Sequence, residues 1–378
     1  MVTILYPRKL KRLLFPKRRR SSGFTLLELL VAMIIGSLIV IALLTLVVQL
    51  TETNQKDAAR SQVQQDMQAA TDFIAQELRE AVFVYNGDCL QGYGPPTATT
   101  LATTCPGIIN HIPTAMVSAN RTPVLAFWRT KKLPAAISTL CGTAPNPQEL
   151  SDSKTAGDNA LVKAGVPCLA GYSYSLVVYA IDKKTPGDTW AGNARLIRYE
   201  LSQFTDGATT AANQNMGYVN PLQDPTYTFQ QWPYTKTLLN RQTAEALQPG
   251  RPTASLANPA VLVDFLDEKK AGDPTGPGAS TTVPTPNCEE FGADATDTVG
   301  QANALTPLAT SNPPRGFYAC VRGGGVRTAK TTGENQEVLL VMKGNVTGQN
   351  GFNEKFDNNE RISPLQTRVL IRGVVDKP

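Results

Sequence analysis

Few side chains in this sequence stand in arrangements that do chemistry. His111 is the one histidine, and a Ser-His-Asp or Cys-His arrangement would have to be built on it without a Gly-x-Ser-x-Gly elbow. Gly323-Gly324-Gly325, between Arg322 and Arg327, has the composition of an anion cradle but matches no phosphate-binding loop; it reads as a turn between strands. Asp264, Asp267 and Glu268, and again Asp357 and Glu360, lack the alternating ligands and central glycine of a calcium loop, so they read as solvated surface. The cysteines are Cys89, Cys105, Cys141, Cys168, Cys288 and Cys320. They form no Cys-x-x-Cys pair, and with a single histidine no zinc spacing can be written. Disulfides made in an oxidising compartment are the favoured reading, and buried free thiols the alternative. Many connectivities are open. The sequence-local pairs Cys89 with Cys105, Cys141 with Cys168 and Cys288 with Cys320 are favoured, because each would staple a Pro/Gly-rich loop. The expectation is a protein that is not an enzyme, with no catalytic, cofactor or metal site. The sequons Asn120-Arg121-Thr122 and Asn345-Val346-Thr347 carry little weight.

One carboxylate is oddly placed. Glu28 stands at the head of an apolar run, and from Leu29 to Val48 twenty residues carry no charge. At 1.5 Å per residue the run spans about 30 Å, the thickness of bilayer hydrocarbon. A lone carboxylate there costs about 2.5 to 3.5 kcal/mol. Glu28 therefore needs a partner, or it snorkels to the interface.

Charge orients the segment. Arg8, Lys9, Lys11, Arg12, Lys17, Arg18, Arg19 and Arg20 precede Gly23 with no acid among them, so the net +5 of the chain becomes −3 once these eight are set aside. The basic character is local and supports no nucleic-acid partner. By the positive-inside rule the N-terminus stays cytoplasmic and the bulk of the chain is exported. A secretory signal fits poorly, because the run is too long and no Ala-x-Ala site closes it; a twin-arginine signal fits poorly because the segment is too apolar.

Residues 51 to 84 contain neither proline nor glycine, and Val63, Met67, Ala70, Ile74, Leu78 and Ala81 recur at spacings of four and three. This predicts one amphipathic helix continuing residues 24 to 50 through residues 51 to 86, stopped by Asn86-Gly87. Glu52, Lys56, Asp57, Arg60, Asp66, Asp72, Glu77 and Arg79 are expected to face water. The first half, apolar all round, is expected to protrude as a shaft from a domain packed on the second half. In residues 87 to 378 strands are expected at Val124–Trp128, Tyr172–Ile181, Arg195–Leu201, Val261–Phe265, Phe317–Arg322, Glu337–Val346 and Thr367–Val375. Alternation puts Leu196, Arg198 and Glu200 on one face and Ile197, Tyr199 and Leu201 on the other. Leu133–Val166 reads as loop, Thr235–Leu247 as a short helix, and Lys269–Arg315 as a low-complexity insertion. The fold class is α+β: a long N-terminal helix packed on an antiparallel sheet domain with long disulfide-clipped loops.

Gly23-Phe24-Thr25-Leu26-Leu27-Glu28-Leu29-Leu30-Val31-Ala32 resembles the processing and N-methylation motif of type IV pilins and of type II secretion pseudopilins. The resemblance covers about a tenth of the chain. It implies that residues 1 to 23 are a leader, that prepilin peptidase cuts between Gly23 and Phe24 and methylates the new amine of Phe24, and that Glu28 serves assembly. The cation nearest Glu28 is then the amine made by cutting. The implied partners are prepilin peptidase, other pilins or pseudopilins in a filament, an inner-membrane assembly platform, and membrane lipid before assembly. The implied place is the inner membrane, crossed once with the C-terminus periplasmic, and later a fibre. The long leader and the absence of proline from the apolar run suit a minor pilin or pseudopilin. The size, the Tyr-rich hairpin and the strand-rich end resemble larger minor pilins of the PilW type. Ser363-Pro364-Leu365-Gln366-Thr367-Arg368-Val369-Leu370-Ile371-Arg372-Gly373 is weakly similar to pseudopilins of hormogonium polysaccharide secretion. The alternative is a single-span anchored binding protein or hydrolase unrelated to pili.

Overall fold

The computed structural model describes residues 23–94, 96–97, 100, 104–143, 161, 165–222, 229–236, 244–253, 260–270, 272–273, 286, 288–291, 302–308, 314–323, 336–349 and 362–371. Helix α1 is Leu26–Arg79, 54 residues long. The chain divides into two compact units within it, the first ending at Asn54 and the second beginning at Gln55. Every described residue of the first unit, from Gly23 onward, is exposed. A helix with a stretch apolar on all sides is long and apolar enough to cross a membrane.

The second unit holds two further helices, α2 (Gly87–Gln91) and α3 (Ala135–Thr143). Its described strands begin with β1 (Ala81–Val84), β2 (Arg121–Lys132), β3 (Tyr172–Lys183) and β4 (Ala194–Ser202). They continue with β5 (Tyr234–Lys236), β6 (Ala244–Ala246), β7 (Ala260–Val263) and β8 (Leu305–Thr306), and end with β9 (Phe317–Arg322), β10 (Glu337–Met342) and β11 (Leu365–Leu370). One sheet has the order β1-β2-β3-β4-β7, another β11-β10-β9-β8, and β5 pairs with β6 alone. The described pairings are antiparallel.

Period-two alternation explains why β3 is buried on both faces. Val177, Tyr179 and Ile181 join one core, and Leu176, Val178 and Ala180 another. The first core unites Val63, Met67, Ala70, Ile74 and Leu78 of α1 with both large sheets. Close approach of α1 is built in at Gly344, where an added Cβ would stand 2.4 Å from Met67 Sδ and 3.2 Å from Val63 Cγ1. The second core lies on the opposite face of the β1–β4 sheet, where Trp128 donates to Tyr85 Oη at 2.9 Å. The sheets are also tied by hydrogen bonds, from Thr306 of β8 to the Val124 carbonyl of β2 and through Gln336. Gln336 accepts the Val84 N–H at 2.8 Å and donates to the Val84 carbonyl at 2.7 Å, so its amide stands in for a strand residue beside β1.

Several expectations are corrected. The helix stops at Arg79 and not at Asn86-Gly87, because Ala81-Val82-Phe83-Val84 suits a strand and takes β2 as its partner. Leu133–Val166 is not all loop, since α3 lies within it. The described ends of Thr235–Leu247 form the β5–β6 ladder and not a helix, with Thr235 opposite Glu245, and residues 237–243 lie outside the described residues. Much of Lys269–Arg315 lies outside the described residues, but β8 adds a short edge to β9. Arg372 and Gly373, the end of the secretion-like phrase, also lie outside them.

Glu77 is the largest correction, for it does not face water and is only 5 % exposed. Tyr179 Oη donates to it from β3. Arg198 of β4 makes a paired contact, at 3.0 Å from Nε and 2.8 Å from a terminal nitrogen, and Arg129 of β2 reaches it at 3.0 Å. Glu200 joins the same two arginines and Lys131. A buried carboxylate is tolerated where its cations and donors surround it in this way. Glu77→Ala would leave two largely buried guanidiniums with Glu200 as the carboxylate they share. The expected cost is about 3–5 kcal/mol in denaturant unfolding; a loss below about 1 kcal/mol would mean that water already screens the cluster.

Candidate processing and assembly site

Gly23 precedes α1 in exposed backbone without positive φ, and a Cβ added to it would meet nothing within 4 Å. Nothing among the described residues requires glycine there. Phe24 follows, 79 % exposed. Thr25 then starts the helix. Its hydroxyl accepts the Glu28 N–H at 3.3 Å and its carbonyl accepts the Leu29 N–H at 3.2 Å. Thr25 thus caps the helix and Glu28 is its third residue, the spacing of a capping box. The first amides of a helix lack internal partners and carry partial positive charge, so the Glu28 carboxylate sits where the backbone favours an anion. Gly23, Phe24 and Glu28 are therefore gathered at one exposed helix start. Thr25 is the residue that the reading of the sequence passed over, although Thr-x-x-Glu before an apolar run is a legible signal.

Beyond this start the weakly polar residues of the span satisfy themselves. Ser37 donates to the Ile34 carbonyl at 2.8 Å, and Thr45 to those of Ile41 and Ala42 at 2.8 and 2.9 Å. Such back-bonding lets hydroxyls reside in hydrocarbon without partners from outside.

The other residues singled out in the sequence belong to the second unit. His111 is largely buried, with its ring edge-on to Trp232 and Tyr234. Gln248 donates to the carbonyls of His111 and Gly217 at 2.9 and 2.8 Å, which turns its oxygen toward Nδ1 at 2.9 Å and assigns the ring proton to that nitrogen. Burial lowers the pKa of His111, the Gln248 bond opposes the shift, and the Arg251 cation adds to it. Among the described residues no group of three His, Cys, Asp or Glu could hold a metal ion. Asp267 is buried, and Gly323 has φ +77° just after β9, whereas Gly324, Gly325, Asp357 and Glu360 lie outside the described residues. Asn345 is buried with Oδ1 bonded to Thr347, while Asn120 is exposed. The cysteines are joined as Cys89–Cys105, Cys141–Cys168 and Cys288–Cys320, each pair a sequence-local one.

A family model of the prokaryotic N-terminal methylation motif matches residues 18–44. The match supports a type IV pilin-like protein. The motif implies processing by prepilin peptidase and assembly with other pilins, and with the apolar helix it fits a membrane-anchored pilin. No curated protein and no solved structure matches the chain.

Two outcomes are expected. Thr25→Val removes the cap and should weaken the first turn by about 0.5–2 kcal/mol. In detergent micelles amide exchange at Glu28 and Leu29 should rise several-fold, with Thr25→Ser near wild type; equal exchange in all three proteins would remove the capping role. The second concerns acid. An unfolded chain takes up the His111 proton near 6.5, and the folded chain only at lower pH, so stability falls as pH drops below 6.5. Burial pushes Glu200 up, but Arg198, Lys131 and Arg129 prevail and bring it from 4.5 to about 2, so its contribution is lost as pH falls below 4.5. Thermal midpoints against pH should show both declines, and His111→Gln should abolish the first alone.

Proposed function

We propose that this chain is a minor pilin or pseudopilin, a structural subunit without enzymatic activity. Prepilin peptidase cuts it between Gly23 and Phe24 and methylates the Phe24 amine, and the product moves from the cytoplasmic membrane into a type IV pilus or a type II secretion-like filament. The basic leader holds the N-terminus in the cytoplasm, and the second unit is carried outside. The observation that supports this best is the conjunction at the start of α1: a glycine that no contact among the described residues requires, one residue between the cut and the cap, and a carboxylate in the first turn at the head of an apolar span. Glu28 gains an ammonium partner only when the peptide bond before Phe24 is broken. The leader, the proline-free span and the large second unit favour a minor subunit of PilW-like kind, serving motility or the secretion of protein or polysaccharide.

The decisive measurement is mass spectrometry of the membrane-extracted protein. An N-terminus at N-methyl-Phe24 is expected; a mature chain that keeps Met1 would refute the proposal in favour of an anchored binding protein or hydrolase. Glu28→Ala should leave insertion and cleavage largely intact but lower recovery in purified filaments on the order of tenfold, the loss of a charge pair worth roughly 1.4 kcal/mol or more. Wild-type recovery would remove the role assigned to Glu28.

A further inference from the structure

The three disulfides differ in their surroundings. Cys89 and Cys105 are 1 % and 0 % exposed, and Cys288 and Cys320 are 3 % and 0 % exposed. Cys141 and Cys168 are only partly buried. Cys141 lies in the last turn of α3, and Cys168 in a turn closed by the Gly171 N–H on the Pro167 carbonyl at 3.0 Å. They pack against a small cluster separate from the two main cores, formed by Leu133, Ile137, Leu161, Val166, Phe204 and Ala208. This cluster lies beside the ends of β2, β3 and β4, and its side chains come from outside those strands.

We infer that Cys141–Cys168 is a reducible clasp, a thiol–disulfide exchange site whose opening loosens α3 and the 165–171 turn and uncovers Phe204 while both large sheets stay folded. The inference stands independently of the filament reading. The co-reactant is a dithiol of the thioredoxin class. Its thiolate attacks Sγ of one cysteine, the S–S bond breaks, and the other cysteine leaves as a thiolate that takes a proton from water. The second thiol of the reductant then resolves the mixed disulfide, so the reductant ends as a disulfide and the clasp as two thiols. Access decides which pair reacts in folded protein. Cys89–Cys105 opens only with the second core, and Cys288–Cys320, in a small cluster of its own, only with displacement of β9, which carries the fully buried Cys320, whereas the clasp needs only local opening.

The test treats the full folded chain with dithiothreitol in mildly alkaline buffer, quenches with iodoacetamide at intervals, and maps alkylated cysteines by mass spectrometry. Cys141 and Cys168 should be modified on the order of tenfold or more faster than the other four. Hydrogen exchange should rise over residues 133–143, 165–171 and 204–208 and stay unchanged in β2, β3 and β4. Equal or earlier reduction of another pair would overturn the inference, as would an opened bond that leaves exchange in those segments unaltered. The double variant Cys141→Ser, Cys168→Ser should fold and show the same local change. Its failure to fold would also count against the clasp, since the bond would then belong to the global fold.

Discussion

One helix has to satisfy two solvents. Through Leu50 α1 shows apolar side chains on every side, which suits hydrocarbon, and farther along, from Ala59 to Leu78, it buries them on one side, which suits a protein core. The second requirement shapes the second unit of the chain. Two antiparallel sheets contribute to the core that takes the stripe from Val63 to Leu78, and the glycine at 344 lets the backbone come into contact with the helix. Without residues 59 to 78 that core has no centre. The unit that folds together therefore begins inside the helix and not after it.

The same helix carries two carboxylates in costly places, answered by different means. Glu77 finds its cations in its own fold, on β2 and β4, with the Tyr179 hydroxyl completing the shell. Glu28 has the polarised amides of the first turn and, on the function proposed, an ammonium that exists only after cleavage. One is a permanent clamp, and the other is conditional on a covalent event.

The parts of this architecture written in local pattern were legible beforehand: the apolar span, the stripe along α1, the β3–β4 hairpin with its face assignment, and the strand-rich end. What escaped was set by distant residues. Nothing near Glu77 announces that Arg129 and Arg198 lie across from it, so a carboxylate on a helix read as solvated. The end of α1 carries no proline or glycine; it is decided by β2, which offers Ala81-Val82-Phe83-Val84 a partner. The segment from Thr235 to Leu247 holds good helix formers, yet its ends pair as strands, since pairing and burial outweigh weak propensity. Thr25 is a different case, because its capping box was in plain view and overshadowed by the motif around it.

The amide of Gln336 has a consequence outside the folded monomer. β1 ends the five-stranded sheet, and an end strand offers free backbone groups to any neighbour. By occupying both groups of Val84, Gln336 blunts that edge from within. On the function proposed, chains anchored by their N-termini to one membrane meet at high local concentration and in a shared orientation, conditions that favour sheet-to-sheet aggregation. The Gln336 amide, itself buried with Val84, closes that margin of the sheet to such neighbours.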